Sequence, residues 1–109
     1  MDKFMALAEP NRRRIIELIA ANGKMASTDI SSEFDISAPA VSQHLKVLRE
    51  TGLVLVEKRA QQRIYSLDAR GIEETWEWLN QMRAHWNARF DALDALLLKE
   101  HDKPKGRKR

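Results

Sequence analysis

The sequence predicts a mainly α fold carrying one small β-hairpin. Three observations lead there. Apolar residues recur at helical spacing through most of the chain, with capping and stop residues between the runs. Two short β-branched or aromatic-rich runs, 53–58 and 63–67, flank a polar link and read as paired strands. Residues 70–98 keep one apolar stripe without a break. A length of 109 residues suits one domain, and 43% apolar with 32% charged residues suits a folded chain rather than wholesale disorder.

The first helix is short, with Phe4, Leu7 and Ala8 as its apolar face. Glu9-Pro10-Asn11 interrupts it, because a residue before proline is biased away from the α region. Pro10 or Asn11 opens a second helix, Asn11 to Ala21, with Ile15, Ile16, Leu18 and Ile19 inward and Asn22-Gly23 as its stop. Ser27 or Thr28 caps a third helix that runs to Phe34 and turns Ile30, Phe34 and Ile36 inward. Asp35-Ile36-Ser37 is a tight connector. Ser37 caps a fourth helix over 38–50, with Pro39 in the first turn, where a missing N–H costs nothing. Val41, Leu45 and Leu48 stand at i, i+4 and i+7, so one face is buried, and Thr51-Gly52 ends the helix.

The strands Leu53–Lys58 and Arg63–Leu67 follow, around Arg59-Ala60-Gln61-Gln62. The link holds no glycine, which leaves its turn type open. A lone hairpin is marginal, so it must pack on the helices. A fifth helix then runs from about Arg70 to Leu98. Ile72, Trp76, Leu79, Met82, Trp86, Phe90, Leu93 and Leu97 form a heptad-like seam along it. Twenty-nine residues at 1.5 Å each reach about 43 Å, too long for a domain whose radius of gyration is about 13 Å. The seam therefore expects a partner, most simply the same helix of a second subunit. Residues 99–109 read as a disordered basic tail, which leaves 1–98 as the folded domain.

The net charge is +3, but its location matters more than its size. Residues 1–41 are net −1, 42–70 net +3, 71–98 net −3 and 99–109 net +4. The ordered basic excess thus sits on the fourth helix and the hairpin. The absence of cysteine excludes disulfides, thiolate metal sites, a cysteine nucleophile and thiol redox sensing. No apolar run nears the roughly 20 residues of a membrane span, and Met1 to Ala8 is too short and lacks the basic start of a secretory signal. The expected location is the cytoplasm.

The third and fourth helices with their connector make a helix-turn-helix pattern, whose second helix lies in the DNA major groove. With Val41, Leu45 and Leu48 inward, its outward residues are Ala38, Pro39, Ser42, Gln43, Lys46 and Arg49, flanked by His44. Gln can bond adenine at two atoms, Ser can bond any base, and Lys can reach guanine or phosphate. No Asp or Glu occurs from Ser37 to Arg49 to repel a phosphate backbone. The hairpin adds Lys58, Arg59 and Arg63, with Gln61 and Gln62 at its tip. Taken singly, such residues would be an ordinary solvated face. The acid-free helix, its capped start and the basic hairpin together favour double-stranded DNA as the partner.

Three stretches carry a resemblance: Ala6-Leu-Ala-Glu-Pro-Asn-Arg-Arg-Arg-Ile-Ile-Glu-Leu-Ile19, Ser37-Ala-Pro-Ala-Val-Ser-Gln-His-Leu-Lys-Val-Leu-Arg-Glu-Thr-Gly-Leu-Val54 and Arg63-Ile-Tyr-Ser-Leu67. The chain resembles the ArsR-type winged helix-turn-helix repressors over about residues 4–98, most specifically at 37–54. The resemblance implies four helices, two strands and a fifth helix, in a homodimeric bacterial repressor. It implies that Ser42, Gln43, His44 and Lys46 face the groove and that 57–64 is the wing. The dimer surface expected is Phe4 and Leu7 with the seam from Ile72 to Leu97. Two departures stand out. Many relatives carry Gly followed by Arg at the wing tip, where this chain has Ala60-Gln61. Metal-sensing members place Cys near the third helix, where this chain reads Ser27-Thr28-Asp29-Ile30-Ser31, or Asp and His sets on the last helix.

No metal or cofactor is expected. His85 has Asp91 and Asp94 six and nine residues on, a spacing that cannot converge on one helix. A ligand set shared across a dimer seam is the only metal arrangement left, and a solvated or seam-packed histidine is the simpler reading. Trp76, Trp78 and Trp86 raise an effector pocket as a second question, though aromatics at helical spacing are ordinarily core. Arg12-Arg13-Arg14 reads as a solvated helix face, with phosphate contact or pairing to Glu9 and Glu17 as the alternative. No nucleophile–base pair or phosphate loop appears, so no enzyme is expected. Two other functions fit the same fold: a non-specific nucleic-acid binder driven by the tail, and a protein-interaction module using the last helix.

Overall fold

The computed structural model describes residues 1–101, with side chains through Lys99. Asp2 starts the first helix, α1 (Lys3–Ala8), by accepting the Met5 N–H at 2.8 Å. Glu9 ends α1 and caps α2 (Pro10–Asn22), its carboxylate accepting the Arg12 N–H at 2.9 Å. The break between the two helices is therefore one residue wide, with Pro10 as the first residue of α2. The buried residue of α1 is Ala6, with Leu7 partly buried, while Phe4 and Ala8 are exposed. Ile15 and Ile19 are the fully buried residues of α2. Gly23 closes α2 at φ +83°, and its N–H reaches the Ile19 carbonyl at 2.7 Å. Nothing lies near where its Cβ would stand, so glycine is needed here for its backbone alone.

Gly23 turns the chain into a strand that the sequence reading lacks, β1 (Lys24–Ala26). Because Ala26 is held extended opposite Ile64, it becomes the N-cap of α3 (Ser27–Ser31). Neither Ser27 nor Thr28 caps this helix, contrary to expectation, and no side chain does. The helix is also shorter than expected. The Ser32 hydroxyl donates to the Asp29 carbonyl at 2.7 Å, and turn hydrogen bonds from Glu33 and Phe34 replace the helical ladder. Ile30 is fully buried, and Phe34 and Ile36 pack partly buried against the core.

Ser37 caps α4 (Ala38–Glu50) as expected, accepting the Ala40 N–H at 3.2 Å, and Val41, Leu45 and Leu48 are buried. The helix ends in a Schellman arrangement. Leu53 N–H donates to the Leu48 carbonyl at 2.9 Å, Gly52 N–H to the Arg49 carbonyl at 3.1 Å, and Gly52 has φ +81°. Leu48 and Leu53, both fully buried, supply the apolar contact of that motif.

The strands β2 (Val54–Arg59) and β3 (Gln62–Leu67) pair antiparallel from Val54–Leu67 to Arg59–Gln62. The hairpin loop is thus two residues, Ala60-Gln61, rather than four. Ala60 has φ +53°, a conformation that two-residue hairpins place at the first loop position and normally give to glycine. β1 pairs on the other side of β3, so the sheet order is β1-β3-β2 with β3 central.

The last helix, α5, is Ala69–His101. Residues 1–75 form one compact unit and the chain from Trp76 onward a second. The core of the first unit gathers Ala6, Ile15, Ile19, Ile30, Val41, Leu45, Leu48, Leu53, Val54 and Tyr65. At the start of α5, a Cβ on Gly71 would lie 1.7 Å from the Gly52 carbonyl oxygen, so the helix backbone passes directly against the α4–β2 turn. The Thr75 hydroxyl, buried, donates back to the Gly71 carbonyl at 3.0 Å. Lys99 to His101 continue the helix, and residues 102–109 of the expected basic tail lie outside the described residues. Among the described residues, no helix is long and apolar enough to cross a membrane.

Candidate nucleic-acid interface

The outer face of α4 is set by the buried one. Once Val41, Leu45 and Leu48 point inward, helical geometry turns Ala38, Pro39, Ser42, Gln43, Lys46 and Arg49 outward, and all six are exposed. The hairpin brings Arg63 to this face. A cleft of about 180 Å³ is lined by Ser42, Gln43, Lys46, Arg49, Arg63 and Tyr65. Three cations, two polar side chains and the phenol thus converge with no carboxylate among them. That combination offers donors to phosphate oxygens beside groups able to read a base edge.

The other hairpin residues divide by strand alternation. Lys58 pairs across from Arg63, so both lie on the sheet face of buried Tyr65. Like charges directly opposite each other destabilise a hairpin unless an anion sits between them. Arg59 lies on the other face, where its Nε is 3.5 Å from the Glu57 carboxylate, and Glu57 is 4.0 Å from Lys24 Nζ. Gln61 is in the loop and Gln62 opposes Arg59, both exposed. The wing thus presents Lys58 and Arg63 on one side and a partly neutralised Arg59 on the other.

His44 stands apart from the other expected groove residues. Its side chain is only 20% exposed, and Nδ1 faces Arg12 Nη1 at 3.4 Å and the Glu9 carboxylate at 3.7 Å. Arg12 is held from behind, donating from Nε to the Ala6 carbonyl at 2.7 Å and from Nη2 to the Met5 carbonyl at 3.3 Å. Arg13 donates to the Leu7 and Ala8 carbonyls, each at 3.0 Å. Arg12 and Arg13 therefore satisfy the free carbonyls ending α1, rather than forming a solvated stripe. The sequence carried no local sign of this, because the contacts run backward across the Pro10 break. Burial acts to raise the Glu9 pKa. Hydrogen bonds from the Arg12 and Asn11 amides, with electrostatic attraction to the neighbouring His44 and Arg12 side chains, outweigh it and hold the carboxyl below its ordinary value.

A second groove, about 360 Å³, runs between α3 and α4 and is lined by Ser27, Thr28, Ser31, Ser32, Ala38, Val41, Ser42 and Leu45. Of its five hydroxyls, those of Ser27, Thr28 and Ser31 lie in the stretch where metal-sensing relatives were expected to place thiolates. Among the described residues, no group of three or more His, Asp or Glu is placed to hold a metal ion.

In the second unit, the expected seam is a row of half-exposed apolar side chains: Trp76, Leu79, Trp86, Phe90, Leu93 and Leu97 are each about 50–60% exposed, and Met82 is partly buried. Trp86 stacks on Phe90 with ring centres 5.5 Å apart, and Arg83 lies 5.8 Å over Trp76. Ile72 belongs to the first unit, where it packs against the core.

Comparison with known proteins bears on the fold. Residues 9–56 match the family model described as bacterial regulatory protein, arsR family. The transcriptional repressor SdpR of Bacillus subtilis strain 168 is 32% identical over 76 residues, covering 70% of this chain and 83% of that protein. The arsenical resistance operon repressor of Escherichia coli strain K12 is 34% identical over 80 residues, covering 67% of this chain and 68% of the relative. A crystal structure described as a possible transcriptional regulator for arsenical resistance superposes with a TM-score of 0.63 at 36% identity, covering 91% of this chain and 96% of that one.

Proposed function

This chain belongs to the ArsR family of bacterial regulatory proteins, and on that premise we propose that it is a homodimeric repressor binding an inverted-repeat operator in double-stranded DNA. It is a transcriptional regulator with a winged-helix fold and not an enzyme. The observation that carries the finer reading is the carboxylate-free cleft where Ser42, Gln43, Lys46 and Arg49 of α4 meet Arg63 of the wing. In this reading α4 enters the major groove, Gln43 and Ser42 contact base edges, and Lys46, Arg49, Lys58 and Arg63 hold flanking phosphates. Residues 1–98 act as one DNA-binding and dimerising domain in the cytoplasm, and the basic residues from 99 on add sequence-independent affinity.

The dimer rests on the apolar row of α5. From Trp76 to Leu97 it extends roughly 30 Å along the helix, and contiguous apolar surface of that extent marks an interaction site. Two copies would place their α4 helices in successive major grooves, about one helical turn or a multiple apart.

The experiment is selection from a randomised duplex pool, followed by gel shift at fixed salt. A palindromic consensus is expected. Gln43→Ala should then weaken the selected duplex by roughly 1–3 kcal/mol and leave random DNA nearly unaffected. Equal loss on both would remove Gln43 from base reading, and no enrichment at all would overturn sequence-specific binding.

A further inference from the structure

We propose that Arg12, remote from the cleft described above, is a positioning residue that fixes the tautomer and orientation of His44, so that the ring offers DNA a hydrogen-bond donor at Nε2. This inference rests on the DNA-binding reading. Its chemistry follows from one asymmetry. A guanidinium has only donors and stays protonated in proteins. Its 3.4 Å approach to His44 Nδ1 is therefore a hydrogen bond only if Nδ1 presents its lone pair. A neutral imidazole whose Nδ1 accepts must carry its hydrogen on Nε2.

Arg12 is well suited to impose that choice. Hydrogen bonds to the Ala6 and Met5 carbonyls, with a contact from Nη2 to the Met1 sulfur at 3.9 Å, hold the guanidinium from the α1 side and leave Nη1 facing His44 of α4. Its own backbone N–H is tied to Glu9. The Glu9 carboxylate is the competing partner for Nδ1. At 3.7 Å from Nδ1 it lies farther away than Arg12 Nη1 at 3.4 Å, so Arg12 has the shorter contact. Nε2 has no hydrogen-bond partner among the described residues. His44 follows Gln43 on α4, at the edge of the outward face. A second-layer group that orients an imidazole through its other nitrogen is a general device for making such a ring selective. A donor here would suit an acceptor atom, a guanine N7 or O6, an adenine N7 or a thymine O4, and not the amino groups of adenine and cytosine.

Two measurements on the full chain test this. The first needs no DNA. In nitrogen-15 spectra at a pH where His44 is neutral, the wild type should show Nδ1 unprotonated and Nε2 protonated, and Arg12→Met should give a mixture of tautomers. Protonated Nδ1 in the wild type, or an unchanged pattern in the variant, overturns the proposal. The second uses the duplex selected above. Arg12→Met should weaken it roughly tenfold, the scale of one base contact, with random DNA unchanged, and should cost nothing further in a His44→Ala background. Additive losses overturn the coupling. Because Arg12 also ties down α1, His44→Gln and His44→Asn provide a comparison that spares α1. Gln places an amide N–H near Nε2 and should retain most binding, whereas Asn should lose about as much as Ala. The reverse order overturns the donor role. A wild type that selects no sequence, yet shows the expected tautomer, would count against the DNA reading while leaving the Arg12–His44 geometry standing.

Discussion

Ala60 is the only non-glycine residue among those described with positive φ. An L-residue pays about 1–2 kcal/mol for the left-handed region, while glycine loses roughly 0.5–1 kcal/mol more chain entropy on folding. Ala60→Gly should therefore raise stability by about 0.5–1 kcal/mol, visible as a higher melting temperature. A lower one would mean that the wing tip is relaxed as it stands. The strain was not legible in Arg59-Ala60-Gln61-Gln62, because no residue there signals a positive φ. It follows from the strands pairing as far as Arg59 and Gln62. Glu9 gives a second test at this scale. Its pKa is lowered in the folded chain, so its charged form favours folding. That contribution is fully present above the ordinary carboxylate value, about 4.3, and is lost as pH falls through the depressed one. Glu9→Gln should flatten the acid limb of stability against pH, as followed by urea unfolding at several pH values, and should cost about 1 kcal/mol at neutral pH as a weakened cap. An unchanged acid limb would show that the cap draws nothing from the charge.

At the scale of elements, local patterns were the readable ones. The Ser37 cap, the Val41–Leu45–Leu48 face and the Thr51-Gly52 stop of α4 are all written within one or two turns, and the structure keeps each of them. What failed to show was non-local. β1 is three residues with no period to detect, and it exists because β3 offers it an edge. The capping of α3 by Ala26 follows from that pairing. The Arg12–His44 contact spans 32 positions, and the approach of Gly71 to Gly52 spans 19. Gly71 yields a clear expectation. Its missing side chain admits the Gly52 carbonyl, so Gly71→Ala forces two backbones apart. Overpacking of this kind costs at least about 1–3 kcal/mol, and backbone atoms cannot rotate away as a flexible side chain can. Gly71→Ala should lower the urea midpoint accordingly. A midpoint near wild type would show that α5 shifts freely at its first turn. Gly23→Ala would be strained through φ alone, with no collision.

For the whole molecule, the net charge of +3 misleads until it is divided. Residues 1–98 are net −1, and the positive excess within them lies at 42–70, on α4 and the wing. DNA affinity should accordingly fall with salt, and Lys46→Ala should reduce the slope of log affinity against log salt by about one unit. An unchanged slope would take Lys46 off the phosphate. Trp86, stacked on Phe90 in the apolar row of α5, is the residue on which to test the proposed dimer. Trp86→Asp would place a charge within the proposed seam and should yield monomers by analytical ultracentrifugation. A variant that still dimerises would move the interface off this helix.

The order of the small sheet bears on how copies of the chain meet. With β3 in the middle, the sheet exposes two edges, and each is a poor template for another strand. β1 offers three residues, and β2 ends in exposed Glu57, Lys58 and Arg59. Short edges and charged edges both discourage backbone-to-backbone stacking between molecules. The wing can thus extend an open ribbon toward solvent at high protein concentration without seeding aggregates, which keeps edge-to-edge strand pairing from competing with the side-chain seam proposed along α5.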